Sequence, residues 1–114
     1  MPKREIEMLR EEFKACRRCI TAFGDETRQD IIIALLEGEK AGMRVGEITA
    51  KTRLSRPAVS HHLRIMREAG LLQLRREGTR NFYCLNPDRQ EMGKLTRLLE
   101  HINTLLETYL PVTE

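Results

Sequence analysis

The chain has 114 residues, of which 40% are hydrophobic, 4% aromatic and 32% charged, and its formal net charge is +3. This length supports one compact domain and excludes a large enzyme with a deep cleft. No apolar run approaches the roughly 20 residues that a membrane span needs, and the polar N-terminal segment lacks the apolar stretch of a signal peptide. We therefore expect a single cytoplasmic domain, residues 1–114, with an aliphatic and mainly helical core.

Two helices are predicted at the start of the chain. The first lies within residues 1–23, where apolar residues recur every three or four positions, at Ile6, Leu9, Phe13, Cys16, Ile20 and Phe23. The second is expected to begin after an N-cap at Asp25 and to end at Gly38. Its core-facing residues are predicted to be Arg28, Ile31, Ile32, Leu35 and Leu36.

The middle of the chain is basic. Between Arg44 and Arg80 there are nine basic and three acidic residues, against 11 basic and 14 acidic residues in the rest. Clustered Lys and Arg are typical of a surface that contacts phosphates, although a solvated basic face has the same composition.

Residues 44–69 are predicted to form a helix-turn-helix within this basic segment. The first helix is short, and the second begins after an N-cap at Ser55, with Pro57 in the first turn, where its missing N–H costs nothing. Gly70 is expected to end it.

Residues 71–86 alternate as two strands around a turn in which Gly78 can supply a positive φ, and residues 88–110 are predicted to form a last helix that begins at Asp88. This order predicts a mainly α-helical fold with a small β-hairpin wing, a winged helix-turn-helix. In that fold the second helix of the pair enters the major groove of DNA.

The predicted recognition helix, residues 55–69, divides into two faces. The core face is expected to contain Val59, His62, Leu63 and Met66, and the open face Arg56, Pro57, Ser60, His61, Arg64 and Arg67. On the open face, the side chains suited to base edges are Arg56, Ser60, His61 and Arg64. Contacts with phosphates are expected from Lys51, Arg53, Ser55, Arg75, Arg76 and Arg80.

The run SRPAVSHHLRIMREAGLLQLRREGTRNFYCL, preceded by FGDETRQDIIIALL and VGEI, resembles the ArsR/SmtB family of bacterial winged-helix repressors. The resemblance implies a homodimer built from the first and last helices. It also implies that the dimer binds a palindromic operator in double-stranded DNA and releases it when an inducer binds. By the same resemblance, the residues that touch DNA are Arg56, Pro57, Ser60 and His61.

The first and last helices carry more apolar surface than one small core needs, which favours a dimer interface. The residues expected there are Leu9, Phe13, Ile20, Leu95, Leu99, Ile102 and Leu106. The alternative is that both apolar stripes pack within one chain.

The pattern of possible metal ligands predicts no metal site and no cofactor. The Cys-x-Cys pattern that some family members carry would fall near Arg44 and Gly46, and neither residue can bind a metal. Of the ligands that other members place on the last helix, only Asp88 and His101 have counterparts, which is fewer than zinc normally takes. We expect His101 to lie at the surface or at an interface.

Cys16 and Cys19 stand three residues apart on the first helix, where they are candidate sensing thiols. Arg17 and Arg18 beside them are expected to lower the pKa values of both thiols. The alternative is that the two cysteines act as small hydrophobic residues, and we expect Cys84 in the wing to be inert.

Three other functions are alternatives to a sequence-specific regulator, and a feature of the sequence argues against each. A winged helix that binds proteins would carry apolar or acidic residues on the open face of the second helix, and a non-specific architectural DNA binder would lack an ordered base-reading face. An enzyme is not expected, because no catalytic constellation or phosphate-binding loop is placed in a predicted pocket.

Overall fold

The computed structural model describes residues 1–112 and contains five α-helices and one antiparallel β-hairpin in that range. In chain order the elements are α1 (Lys3–Phe23), α2 (Glu26–Glu37), α3 (Val45–Thr52), α4 (Arg56–Glu68), β1 (Leu72–Glu77), β2 (Arg80–Leu85) and α5 (Gln90–Tyr109). The predicted winged helix-turn-helix is confirmed: α3 and α4 form the helix pair of the motif, and the hairpin forms the wing. No helix between residues 1 and 112 is long and apolar enough to cross a membrane.

The helices α2, α3 and α4 and the hairpin pack around one apolar core, and we call them the central body. Its largest fully buried side chains belong to Ile31, Ile48, Val59, Leu63, Met66 and Leu72. Each helix contributes residues spaced by three or four positions, so that one face of each helix is closed by its neighbours. The core thus fixes α4 by its inner face and leaves the opposite face open.

The wing is tied to the central body by a short backbone bridge. Met43 and Tyr83 exchange two hydrogen bonds, each with an N···O distance of 2.8 Å. Gly42, just before the bridge, has a φ of +96°, and a Cβ atom there would lie 2.4 Å from the carbonyl oxygen of Tyr83. Only glycine fits this approach. At the far end of the hairpin, Gly78 supplies the predicted positive φ, at +62°.

The helices α1 and α5 pack side by side, and we call them the helix pair. Glu5 and Glu12 of α1 contact His101 in the second half of α5, whereas Cys16 lies near Glu91 at the start of α5. The two helices are therefore antiparallel. The molecule measures 54 × 29 × 23 Å, and a 21-residue helix is roughly 32 Å long, so the helix pair accounts for much of the longest dimension.

Some predicted burial patterns are wrong in detail. On α1, Cys19 and Ala22 lie outside the predicted apolar stripe and are nevertheless buried, because α1 packs on the central body with this neighbouring face. Ile20, which is predicted for the dimer interface, is 37% exposed. On α2, Ala34 is buried and Leu36 is 67% exposed. The last helix begins at Gln90 rather than at Asp88, whose carboxylate accepts a hydrogen bond from the Gln90 N–H at 3.0 Å.

Candidate nucleic-acid interface

The recognition helix α4 has the two faces that its sequence predicts. Val59, Leu63 and Met66 are fully buried, and His62 beside them is half-buried. The residues predicted for the open face are all exposed: Arg56, Pro57, Ser60, His61, Arg64 and Arg67. At the start of the helix, the Ser55 hydroxyl accepts a hydrogen bond from the Ala58 N–H at 3.3 Å, which confirms the predicted N-cap.

Two grooves separate the open face of α4 from the wing. The first, about 400 Å³ in volume, runs between the start of α3, the start of α4 and the wing tip, where it is lined by Arg44, Arg56, Thr79, Asn81 and Tyr83, among others. The second, about 510 Å³, is lined by Ser60, Arg64, Arg67, Glu68 and Tyr83. Of the predicted base-reading residues, Arg56, Ser60 and Arg64 thus line a concave, mainly basic surface that could hold a nucleic-acid backbone, whereas Pro57 and His61 are exposed but line neither groove.

Arg44 and Tyr83 are interface candidates that sequence reasoning did not select. Arg44 precedes α3, where its N–H donates to the Glu47 carboxylate at 3.1 Å, and its side chain shares the first groove with Arg56. Tyr83 lines both grooves from the wing. Arg44 was already visible as the first residue of the basic segment, whereas nothing local distinguishes Tyr83, because its position depends on the bridge to Met43.

The residues predicted to contact phosphates differ in how many interactions their side chains already make within the chain. Lys51, Arg53, Ser55 and Arg80 are exposed, and Arg53 ends α3 with a φ of +58°. Arg76 is exposed and donates to Asn81 at 3.2 Å. The guanidinium of Arg75 donates to Glu77 at 2.9 Å and to the Ala41 carbonyl at 3.0 Å, and it stacks over the Phe82 ring. Arg75 therefore joins the middle of the wing to the loop before α3, and a phosphate would have to compete with these partners.

A buried arginine joins α1 to the recognition helix. The Arg28 guanidinium donates to the carbonyls of Thr21 and Ala22 at the end of α1, at 2.9 and 3.0 Å, and it lies 3.1 Å from Nδ1 of His62 on α4. Arginine can only donate, so Nδ1 accepts and the neutral His62 ring carries its proton on Nε2. His62 of α4 is thus hydrogen-bonded to the neighbouring helix α2.

The electrostatics around this contact favour a neutral His62. Burial lowers the pKa of His62, the Asp25 carboxylate partly opposes this effect, and the Arg28 cation adds to it. Asp25 caps α2 by accepting from the Arg28 N–H at 3.0 Å, and that hydrogen bond lowers the pKa of Asp25. The contact between α1 and α4 therefore pairs a neutral His62 imidazole with the Arg28 cation.

The candidate thiols are not activated as expected. Cys16 and Cys19 are 2% and 1% exposed, and burial is the main reason that the pKa of each thiol is raised rather than lowered. The carboxylates of Glu12 and Glu91 raise the pKa of Cys16 further. The expectation that Arg17 and Arg18 lower these pKa values is wrong, because neither arginine is among the charges that act on the thiols. Cys84 is also buried, with its sulfur 3.8 Å from the Gln73 carbonyl.

His101 has a definite place between the two helices of the helix pair. Its side chain is 18% exposed, with Nε2 at 2.8 Å from Glu5 and Nδ1 at 2.5 Å from Glu12. Hydrogen bonds to these two carboxylates raise the pKa of His101. Within residues 1–112, no group of three or more His, Cys, Asp or Glu side chains could hold a metal ion.

Comparison with known proteins agrees with this geometry. Residues 25–73 match the family described as "Bacterial regulatory protein, arsR family". An HTH-type transcriptional regulator from Methanocaldococcus jannaschii is 38% identical over 86 residues, which cover 75% of this chain and 94% of that protein. The chain belongs to the ArsR family. As an ArsR-family protein it is a DNA-binding transcriptional regulator and not an enzyme.

Two further proteins are similar to this chain. The transcriptional repressor SdpR of Bacillus subtilis is 35% identical over 65 residues, covering 57% of this chain and 69% of SdpR. An ArsR-like transcriptional regulator from Rhodococcus sp. RHA1 superposes with a TM-score of 0.71 and 24% identity, covering 86% of this chain and 88% of that structure. The latter supports the fold alone, because its identity is low.

Proposed function

We propose that this ArsR-family protein is a cytoplasmic repressor that binds a palindromic operator as a homodimer and releases it when an inducer binds. The observation that carries the proposal is the open face of α4, where Arg56, Ser60, His61 and Arg64 are exposed beside the wing grooves. Arg56 can pair with guanine in the major groove, and Ser60 and His61 can bond to several base edges. Lys51, Arg53 and Arg80 would hold the phosphates, which bind without regard to sequence.

The dimer is supported by apolar residues that the helix pair leaves exposed. Leu99 is 57% exposed, Leu106 44% and Phe13 42%. Leu9, Leu95 and Ile102 are half-buried. This exposure is expected of residues that pack against their own chain on one side and against a second copy on the other. A two-fold dimer would present its two recognition helices roughly 34 Å apart, one turn of DNA.

The decisive experiment is selection of bound fragments from a genomic or randomised DNA library with the purified protein. We expect enrichment of a palindromic site with half-sites about one helical turn apart. Enrichment without any sequence preference would instead indicate an architectural DNA binder, and no DNA binding would indicate a protein-interaction module.

Variants on the recognition helix and the wing separate the two kinds of contact. Arg56→Ala or His61→Ala should relax specificity by about 1–3 kcal/mol at one position in each half-site. Arg80→Ala should weaken all sequences alike and reduce the salt dependence of binding by about one unit of slope. Arg18→Ala, which removes an exposed arginine of α1, serves as the matched control and should change neither.

A second candidate concerns the signal: we propose that Cys16 and Cys19 can act as a slow thiol sensor. Their burial favours this role, because Cys16 lies near α5 and Cys19 packs with Ala69 and Leu71 of the central body, so any reaction of the two thiols must disturb the packing of α1. Their raised pKa values predict slow reaction in the native state. Diamide is a suitable probe, since it accepts the two protons and two electrons that disulfide formation releases. If Cys16→Ser/Cys19→Ser protein still releases DNA with diamide as the native protein does, this candidate is wrong.

A further inference from the structure

The largest apolar cavity of the described residues lies away from the DNA-binding face. It has a volume of about 710 Å³ and opens between α2, the base of the wing and the first half of α5. Its walls include Phe23, Ile32, Leu71, Leu85 and Met92. This volume lies within the range of about 300–1,000 Å³ that is usual for small-molecule sites, which are mostly apolar with few polar groups.

The charged residues that line this cavity are all positive. Arg89 and Arg97 stand among its lining residues, and no lining residue is acidic. Within residues 1–112, neither guanidinium has a carboxylate within salt-bridge distance, although the neighbouring Lys94 pairs with Glu91 at 2.9 Å. An apolar cavity with two uncompensated arginines is complementary to an apolar molecule that carries a negative charge.

A glycine within α5 makes room for one of these arginines. Gly93 lies in the first half of the helix, where glycine is a poor helix former. A Cβ atom at this position would lie 3.1 Å from Nη1 of Arg97 and 3.7 Å from Cζ. The guanidinium is therefore folded back over the glycine, on the cavity wall. Gly93 and Arg97 lie four residues apart on one face of α5, and Arg89 is the N-cap residue four positions before Gly93.

From these observations we propose that the cavity binds an apolar carboxylic acid as its anion. The hydrocarbon body lies against Phe23, Ile32 and Leu85, and the carboxylate pairs with Arg97, with Arg89 at the same rim. This inference rests on the proposed function in one respect, since it makes the acid the inducer. The cavity joins α2 of the central body to α5 of the helix pair, so an occupant would bias the angle between the two regions. A ligand that binds one arrangement of the two regions more tightly than the other shifts the protein towards that arrangement. It can change the affinity for DNA by up to the ratio of its affinities for the two arrangements.

The test is direct binding of decanoate to the full chain in the absence of DNA, by calorimetry below the concentration at which decanoate forms micelles. Decanol, which has the same chain but no charge, and butyrate, which has the charge but little apolar surface, are the matched ligands. We expect decanoate to bind at least about tenfold more tightly than either, because a charge-assisted pair and a filled apolar cavity are both needed. Equal affinity for decanoate and decanol would overturn the proposal.

Three variants locate the site. Arg97→Gln removes the guanidinium and its charge but keeps a polar side chain, and it should weaken decanoate binding about tenfold or more. Gly93→Ala should displace the Arg97 guanidinium and weaken decanoate binding, while the thermal stability of the protein stays the same or rises, since alanine is the better helix former. Arg18→Gln on α1 is the control and should bind decanoate as the native chain does. Native affinity in Arg97→Gln would contradict the assignment.

The competing outcome is that a second copy of the chain occupies this cavity. In that case the apparent affinity for decanoate would fall as protein concentration rises, and this dependence would overturn the proposal. Failure of the inducer role is separable from failure of DNA binding. DNA selection reports on the recognition helix alone, and decanoate binding without DNA reports on the cavity alone. If both succeed, operator DNA must weaken decanoate binding by the same factor by which decanoate weakens DNA binding.

Discussion

The central body and the helix pair both contain many aliphatic residues, but the two regions differ in how much of that apolar surface is buried within one chain. In the central body, Ile31, Ile48 and Leu63 have no exposed surface. In the helix pair, Leu99 and Phe13 are 57% and 42% exposed. The core of the central body is therefore closed within one chain, although Ile33 and Leu36 on the outer side of α2 are 53% and 67% exposed, whereas the helix pair leaves apolar residues exposed along both of its helices. Substitutions in the two regions should differ in whether their effects depend on protein concentration.

The largest expected effect is in the core of the central body. Leu63→Ala should lower the free energy of unfolding by about 2–5 kcal/mol, because it removes apolar contacts and leaves a cavity under the recognition helix. Urea unfolding measures this loss. Ile33→Ala on the exposed side of α2 is the control, with a change expected within about 0.5 kcal/mol. Similar values for the two variants would show that α4 is not anchored by this core.

The second effect tests the contact between the two regions. Arg28→Met removes donors from the carbonyls of Thr21 and Ala22 and from His62, so we expect a loss of about 2–3 kcal/mol in the free energy of unfolding. Arg17→Met, an exposed arginine on α1, is the matched control. Hydrogen exchange should show loss of protection at the end of α1 and in α4 together. Loss confined to α1 would mean that Arg28 does not couple the regions.

A third effect should appear only in the helix pair. Leu99→Ala/Leu106→Ala is expected to weaken self-association about tenfold or more, because both side chains would lose contact area in the dimer interface. Sedimentation across a dilution series measures this change, and Ile33→Ala should leave the association constant unchanged. A native chain that stays monomeric at every concentration would contradict the proposed dimer.

The difference between the two regions also explains how much could be predicted from sequence. Caps, turns and the inner face of α4 are local features, so Asp25, Ser55 and Gly78 identified the element boundaries correctly. The periodicity of apolar residues could not show which side of α1 and α5 packs within the same chain. Cys19 of α1 and Leu98 and Leu105 of α5 are buried, although they lie beside the predicted apolar stripes and not in them.

Side chains whose roles depend on distant partners were the hardest to predict. Arg28 was placed on the core face of α2, but its contact with His62 joins residues 34 positions apart. His101 meets Glu5 from 96 positions away, and no spacing along α5 indicates that partner. The open face of α4 was predictable because it is defined by the absence of core contacts. The grooves beside it were not, since they depend on how the wing is tied to Met43.

The smallest expected effect is a pH dependence of opposite sign in the two regions. The pKa of His62 is lowered from its ordinary value of 6.5, so the unfolded chain takes up a proton first as the pH falls. The contribution of neutral His62 is therefore complete above pH 6.5 and is lost as the pH falls below that value. The pKa of His101 is raised by Glu5 and Glu12, so its contribution is complete below pH 6.5 and is lost as the pH rises through the folded value.

Unfolding measured from about pH 5 to pH 9 in His62→Gln and His101→Gln separates the two contributions. His62→Gln should flatten the acid side of the native stability curve, and His101→Gln should flatten the alkaline side. Titration of the two imidazole rings by NMR provides the direct check on the direction of each pKa. If His101 titrated below 6.5, its ion pairs with Glu5 and Glu12 would not stabilise the helix pair. The two regions would then lose stability on the same side of neutrality.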